Sequence, residues 1–337
     1  MISEIKNFRI KKKIFKSFGR TLTIAEIGSN HNQNINLAKK LIDIAARCKC
    51  DAVKLQLFEA DKIIQKKYKG WKILKKLEIN KKWLITLKKY ANKKKLFFGV
   101  SPFDLDNIKI LKKLNVDFIK IASTEIQDIP LIKECSKLRK PLIISTGAAN
   151  ITDISIAVDI IRKYHSNFSI LHTISIYPAK INQLNLSMIK SLSNTFGLPV
   201  GLSDHSTSYF IPSIAVSLGA CIIEKHITFN KSAKGPDHFF ALNEKELTQM
   251  IIGIRQAENS FGNHIKQPII KNERQGLARR IVLKRKYNKG EKIKIKDLII
   301  KRADEKGILA ADIEKITGLK ITVDIKSDEI LKWKYFK

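Results

Sequence analysis

Eight short runs rich in Ile, Val and Phe recur along the chain at intervals of about 20 to 40 residues, and Lys-rich amphipathic segments of helical length fill most of the gaps. The runs are "TLTIAEIG" (21–28), "AVKLQLF" (52–58), "LFFGVSPF" (96–103), "FIKIAS" (118–123), "PLIISTG" (141–147), "FSILHTIS" (168–175), "PVGLSDH" (199–205) and "CIIEKHITF" (221–229). Between them, "NLAKKLIDIAARC", "LDNIKILKKL" and "ITDISIAVDIIRKY" carry apolar residues at helical spacing. Eight strand and helix alternations predict an α/β chain folded as a parallel (β/α)8 barrel, the TIM barrel, over residues 21–262. Residues 1–20 form a basic N-terminal segment, and 263–275, "NHIKQPIIKNERQ", read as a linker. Residues 276–337 read as a second, small β-rich domain with turns at "NKGE" and "DEKG".

The polar residues of each run gather towards its C-terminal end: Glu26, Lys54 and Gln56, Ser101, Lys120 and Ser123, Ser145, Ser175, Ser203 and His205, Glu224 and His226. In a β/α barrel all eight C-terminal strand ends open on one face, where active sites are built. Strand-end punctuation accounts for one or two such residues, but not for the same bias in eight successive strands.

The formal charge is +33, which raises the question of nucleic acid. Only 11 of the 64 basic residues are Arg, and the excess Lys is spread along the whole chain, so specific base or phosphate readout through bidentate Arg is not expected. Anionic small molecules remain compatible partners. No stretch of 18 apolar residues occurs, and the first 20 residues lack an uninterrupted apolar stretch, so neither a membrane span nor a signal segment is expected. The four cysteines have no CxxC spacing. They read as reduced and structural, in keeping with a cytoplasmic protein.

Side chains alternate across a strand, so Ser203 and His205 point one way and Asp204 the other. "SDH" is therefore not a Ser-His-Asp triad, whose side chains must converge. On the eighth strand Glu224 and His226 share a face while Lys225 points away, and the run raises its own question: charges inside a buried strand need partners. Strands seven and eight are neighbours in a sequentially wound barrel, so His205 and His226 can reach one point and hold a divalent metal with positions left open for water or substrate. Lys54, Lys120, Ser123, Ser145 and Ser203 supply ammonium and hydroxyl donors suited to a phosphate or carboxylate. Glu26, Glu125, Glu224 and Asp237 add carboxylates for proton transfer or for sugar hydroxyls.

In order, "IAEIGSNHNQ", "AVKLQLF", "SPFD", "KIASTEI", "STGAA", "GLSDHS", "IEKHITF" and "GPDHFFAL" resemble the successive motifs of the sialic acid synthases, which comprise N-acetylneuraminate synthase and its pseudaminic and legionaminic acid relatives. The segment "ARRIVLKRKYNKGEKIKIKDLIIKR" resembles the C-terminal antifreeze-like (SAF) domain of the same family. The resemblance implies a transferase that condenses phosphoenolpyruvate with the open-chain aldehyde of an N-acetylated amino sugar, giving a nine-carbon 2-keto acid and phosphate by C–O cleavage. It implies that His205 and His226 bind the metal, usually manganese, with magnesium or cobalt also possible. Lys54 and Gln56 match residues around phosphoenolpyruvate, and Lys120, Ser123, Ser145 and Ser203 match its phosphate site. Glu26, Glu125, Glu224, Tyr177 and Asp237 match polar residues around sugar, water and metal, with Glu26 and Glu125 both qualifying as the base for water. Arg302 matches the SAF-domain arginine that reaches the sugar's acyl group in a domain-swapped homodimer.

Three departures bear on the acceptor. The loop after "KLQLF" is short, Ser175 stands where N-acetylneuraminate enzymes often have Asn, and "RADEKG" replaces a Gly-containing loop after the arginine. "GPDH" in turn matches the neuraminate and legionaminate branches. The acceptor stays open among N-acetylmannosamine and related diacetamido sugars. Two readings from other classes are a Schiff-base aldolase using Lys54 or Lys120, and a non-catalytic protein that binds sugar or nucleic acid.

Overall fold

The computed structural model describes residues 7–263, 265–267 and 277–337. Two compact units result, Met1–Gly262 and Asn263–Lys337. Most of the expected linker, 263–275, lies outside the described residues, as do residues 1–6 of the basic segment.

The larger unit begins with a hairpin of β1 (Phe8–Ile10) and β2 (Lys13–Phe15). Eight parallel strands then close into a barrel: β3 (Leu22–Gly28), β4 (Ala52–Leu57), β5 (Phe97–Pro102), β6 (Phe118–Ile121), β7 (Leu142–Ser145), β8 (Phe168–Thr173), β9 (Val200–Asp204) and β10 (Ile222–His226). Neighbours in sequence are neighbours in the sheet, and β10 closes on β3. These are the eight runs read from the sequence. Several end two or three residues early, because the chain leaves the strand to build the loops of the C-terminal face.

Helices follow the strands: α1 (Ile35–Arg47), α2 (Ala60–Ile63), α3 (Trp71–Lys75), α4 (Trp83–Lys93), α5 (Asp106–Leu114), α6 (Ile129–Lys137), α7 (Ile151–Arg162), α8 (Met188–Phe196), α9 (Ile211–Ser217) and α10 (Glu244–Ser260). Their starts are written in the sequence. Asn34 accepts hydrogen bonds from the Asn36 and Leu37 amides, and Asn150 with Asp153 and Asn243 with Glu246 form reciprocal capping boxes. Each cap satisfies amides that a helix otherwise leaves unpaired.

The hairpin closes the N-terminal mouth of the barrel. Phe8, Ile10 and Phe15 pack with Leu22, Ile24, Ala52, Phe118, Ile143 and Ile222, residues at the starts of the strands or inside the barrel. Asn167 clamps the hairpin by bonding the Arg9 amide and carbonyl, and Lys11 pairs with Asp117 at 2.8 Å. Gly99 fits against the Phe118 ring in this layer: a Cβ there would lie 2.1 Å from the ring. With the lower mouth filled, only the C-terminal end of the barrel is left to open a cavity.

The smaller unit has its own core of Ile281, Leu283, Tyr287, Ile293, Ile308 and Leu331, around an antiparallel pair of β11 (Arg279–Leu283) and β12 (Leu298–Arg302). Among the described residues no helix is long and apolar enough to cross a membrane.

Candidate active site

Alternation along β9 and β10 sorts the charges of the two strands onto opposite faces. Asp204 and Lys225 are register partners, point out towards the helices, and pair at 2.6 Å with both side chains fully buried. The Lys225 ammonium also donates to the Ser206 carbonyl at 2.5 Å. Their partners on the inner face, Ser203, Glu224 and His226, point to the open end of the barrel.

A cavity of about 460 Å³ opens there. It is lined by Glu26, Lys54, Gln56, Lys120, Ser123, Tyr177, His205, Glu224, His226 and Asp237, which come from six strand ends and the loops behind them. Glu224 is the hub of this set. Its carboxylate lies 2.8 Å from the Lys54 ammonium and 3.4 Å from that of Lys120, and it accepts the Ser203 hydroxyl at 2.9 Å. Lys54 also meets Glu26 at 3.3 Å, whose other oxygen accepts from Gln56 at 2.9 Å.

Burial alone would raise the Glu224 pKa, but the ammoniums of Lys120 and Lys54 outweigh it and hold the group well below the usual carboxylate range. Glu26 goes the other way: burial pushes it above that range, and the attraction of Lys54 only partly offsets this. Burial lowers Lys120 to about 8, with Glu224 opposing. Lys54, held by Glu224 and Glu26 against the cost of burial, stays a firm cation. One carboxylate is thus a fixed charge and the other is poised to exchange a proton, set apart by their neighbours.

His205 and His226 stand with ring centroids 5.6 Å apart. His205 Nδ1 lies 2.7 Å from the Ile174 carbonyl, which fixes Nδ1 as the protonated nitrogen and leaves a lone pair on Nε2. His226 Nδ1 is buried without a hydrogen-bond partner and faces an Asp237 oxygen at 3.6 Å. Burial depresses both imidazoles, to about 4 for His205, so both are neutral donors at physiological pH. A tautomer fixed by a backbone carbonyl and an orphaned ring nitrogen fit a divalent metal held by two imidazoles. Among the described residues no group of three or more His, Cys, Asp or Glu is preassembled as a metal cage, so this donor set would leave coordination positions open. Tyr177 stacks on His205 at 4.1 Å, and Ser29 donates to Asp237 at 3.2 Å. Gly28 takes φ +52° beneath them, where a Cβ would come within 3.1 Å of Asp237 Oδ2.

Three expected residues of the barrel unit do not line the cavity. Ser203 acts one step back, bonded to Glu224 and 3.4 Å from His205 Nε2. Ser145 is buried at the end of β7, its hydroxyl without a hydrogen-bond partner. Glu125 sits on a 3-10 turn, Ser123–Glu125, and accepts the Thr124 hydroxyl at 2.6 Å. Arg302 ends β12 in the smaller unit and is exposed. Conversely, the cavity includes residues not expected from the sequence: Ser29, Thr124, Pro236, and the apolar Phe58, Phe103, Ile73, Leu74 and Leu77. Ser175, noted in the sequence only as a strand-end residue and a departure, also lines it.

Burial pushes Glu125 up to about 7 from an ordinary 4.5. Between those values the folded chain holds a proton that the unfolded chain has released, so this group contributes stability at low pH that is lost as pH rises through the window. Glu125→Gln should therefore gain stability over the wild type on going from about pH 5 to about pH 8, read by urea unfolding at both. A wild-type difference that does not change with pH would show that the carboxyl titrates normally.

The profile of the NeuB family matches residues 41–266, and that of the SAF domain matches residues 278–337. The N,N'-diacetyllegionaminic acid synthase of Campylobacter jejuni is 37% identical, over 93% of this chain and 99% of its own. The enzyme of the same name from Legionella pneumophila is 34% identical, over 93% and 94%. The crystal structure of the N-acetylneuraminic acid (sialic acid) synthetase of Leptospira borgpetersenii, in complex with citrate, superposes with a TM-score of 0.76 at 32% identity, covering 81% of this chain and 97% of that one. A barrel whose charged strand ends converge at one mouth, followed by a SAF domain, thus matches on sequence and structure alike, and the chain belongs to the NeuB family of sialic, legionaminic and pseudaminic acid synthases.

Proposed function

We propose that the protein condenses phosphoenolpyruvate with the open-chain form of an N-acetylated amino sugar, N-acetylmannosamine or a related diacetamido sugar, to give a nine-carbon 2-keto acid and inorganic phosphate. The observation that carries this reading is the convergence of two ammoniums, two carboxylates of opposite pKa shift and two neutral imidazoles on one cavity. Lys54 and Lys120 bind the trianionic substrate, with the Ser123 hydroxyl beside them. Tyr177 and Asp237, which line the same cavity, orient the acceptor.

Carbon C3 of the enol attacks the aldehyde carbon, and the aldehyde oxygen takes up a proton to become the new hydroxyl. Water adds to C2, the C–O bond to phosphate then breaks, and phosphate leaves with the bridging oxygen. Glu26 is the base for that water: it lines the cavity and is shifted towards neutrality, whereas Glu125 does not line it. Glu224 stays ionised, holding both lysines in place and countering positive charge that develops at C2. His205 and His226 are the candidate ligands for a divalent metal such as manganese, which when bound supplies Lewis-acid polarisation of the aldehyde oxygen.

The deciding experiment follows phosphate release with manganese, a panel of N-acetylated hexoses and phosphoenolpyruvate labelled with 18O in its bridging oxygen. Labelled phosphate, formed only with an acceptor present, is the expected result. Unlabelled phosphate, or substrate trapped on Lys120 by borohydride, would replace this reading with P–O cleavage or a Schiff-base aldolase.

A further inference from the structure

The loop between β10 and α10 runs over residues 229–243 without a helix, and backbone bonds close its neck. The Leu242 amide donates to the His226 carbonyl at 2.9 Å, and the Thr228 amide donates to the Leu242 carbonyl at 2.9 Å. From 229 to 240 its side chains are exposed or half-buried, with two exceptions, His238 and Phe240, which are fully buried. Phe240 packs against the His226 and Tyr177 rings, with centroids 5.1 and 5.4 Å apart. A buried phenyl ring needs nothing more, but a buried imidazole on an exposed loop needs a partner for each ring nitrogen.

Both nitrogens have one. The Thr228 hydroxyl donates to the Asn230 carbonyl at 2.9 Å and accepts the Asn230 amide at 3.0 Å, which leaves one lone pair for His238 Nδ1–H at 2.6 Å. His238 Nε2 lies 3.2 Å from the Asn32 side-chain amide. The first bond stays at the neck of the loop. The second crosses to the turn after β3, residues 29–33, and two others cross beside it: Asn30 donates to the Ile227 carbonyl at 2.9 Å, and Ser29 donates to Asp237 Oδ2 at 3.2 Å. The same Asp237 oxygen faces His226 Nδ1 at 3.6 Å.

We infer that His238 is a positioning residue: by tying the loop after β10 to the turn after β3, it holds the Asp237 carboxylate at the cavity, opposite His226. The inference deepens the reaction proposed above and rests on it for the work that Asp237 does. Asn30 ties down the strand end and Phe240 the far side of the loop, so the stretch that carries Asp237 depends on His238 for its attachment to the turn. Adjacent Cα atoms are about 3.8 Å apart, so a shift at 238 passes directly to the carboxylate next to it. A misplacement of about 1 Å at a reacting group can cost about 10²-fold in rate.

The test uses the full chain with manganese, phosphoenolpyruvate and two acceptors, N-acetylmannosamine and a 2,4-diacetamido-2,4,6-trideoxyhexose. His238→Leu fills much of the ring's space and makes neither bond. For the acceptor that is turned over, kcat/KM should fall about 10- to 100-fold, with KM for phosphoenolpyruvate unchanged. A glutamine side chain reaches as far as Nε2 and an asparagine only as far as Nδ1, so His238→Gln should restore most of the loss and His238→Asn little. In an Asp237→Asn background His238→Leu should add no further loss, because it acts through that carboxylate. Asn32→Gly removes the other end of the bridge without touching the buried ring, at a backbone φ of +45° that glycine adopts freely. It should repeat the loss even where His238→Leu does not fold. Hydrogen exchange should quicken at residues 235–240 in both variants and stay unchanged in β10. Equal losses in His238→Gln and His238→Asn, or losses that add to those of Asp237→Asn, would overturn the inference. If neither acceptor is consumed, the proposed reaction falls while exchange still decides the attachment: protection at 235–240 that neither variant changes refutes it.

Discussion

Glu224→Gln is expected to lower turnover about 10²- to 10³-fold and to lower the melting temperature by roughly 10 °C. The substitution keeps the shape of the side chain and removes one buried negative charge from between two buried ammoniums. Lys54 keeps Glu26 as a partner at 3.3 Å, but Lys120 loses the carboxylate nearest to it. Breaking a buried pair by removing one member costs about 3–5 kcal/mol, because the remaining charge stays desolvated. Burial already holds Lys120 down at about 8 with Glu224 present, and without that carboxylate it drops further. A lysine with a depressed pKa is cationic only below it, so at a given pH a larger fraction of the variant presents a neutral amine where phosphate should bind. The alkaline limb of kcat/KM for phosphoenolpyruvate should therefore move to lower pH, and activity should partly recover on acidification. Calorimetry and a pH series of phosphate release check both halves. An unchanged melting temperature with an unchanged alkaline limb would remove Glu224 from the hub.

Much of this site is legible in the sequence because a β-strand has a period of two. Glu224 and His226 fall on one face and Lys225 on the other, and the same parity places Asp204 opposite Ser203. Parity also predicts that Lys225 is structural, and Asp204 is the partner that its burial requires. What parity does not supply is register beyond the strand. Glu125 and Ser123 are two residues apart, yet both lie on a 3-10 turn, where spacing in sequence no longer decides which side chain lines the cavity.

The hairpin escapes notice for another reason. In "FRIKKKIF" the apolar residues Phe8, Ile10 and Phe15 turn inward, but the turn between them is made by lysines, with Lys11 at φ +53°. The Gly or Asn that usually marks such a turn is missing, so the sequence reads there only as a basic N-terminal segment. Helix α3 is similarly silent: five residues are too few to show a helical period, and its apolar side chains gain meaning only from the cavity they face.

His226→Gln should separate metal binding from folding. His226 Nδ1 has no hydrogen-bond partner, so the substitution removes no hydrogen bond from that nitrogen, and the melting temperature in metal-free buffer should stay within a few degrees of the wild type. In the wild type, manganese at about 100 times its dissociation constant should stabilise the fold by about 2.7 kcal/mol, and the variant should lose that gain. Turnover should fall about 10³-fold, equivalent to about 4 kcal/mol of lost transition-state stabilisation. Titration calorimetry with manganese, thermal melts with and without it, and phosphate release together read the outcome. Retained affinity with retained activity would refute the two-imidazole site. The contrast with Glu224→Gln carries the argument further. One variant should keep metal affinity and lose stability, the other should keep stability and lose the metal, although the two residues sit two positions apart on the same face of β10. A strand that carries both properties independently assigns Glu224 to the electrostatic balance of the lysines and His226 to the open coordination sphere.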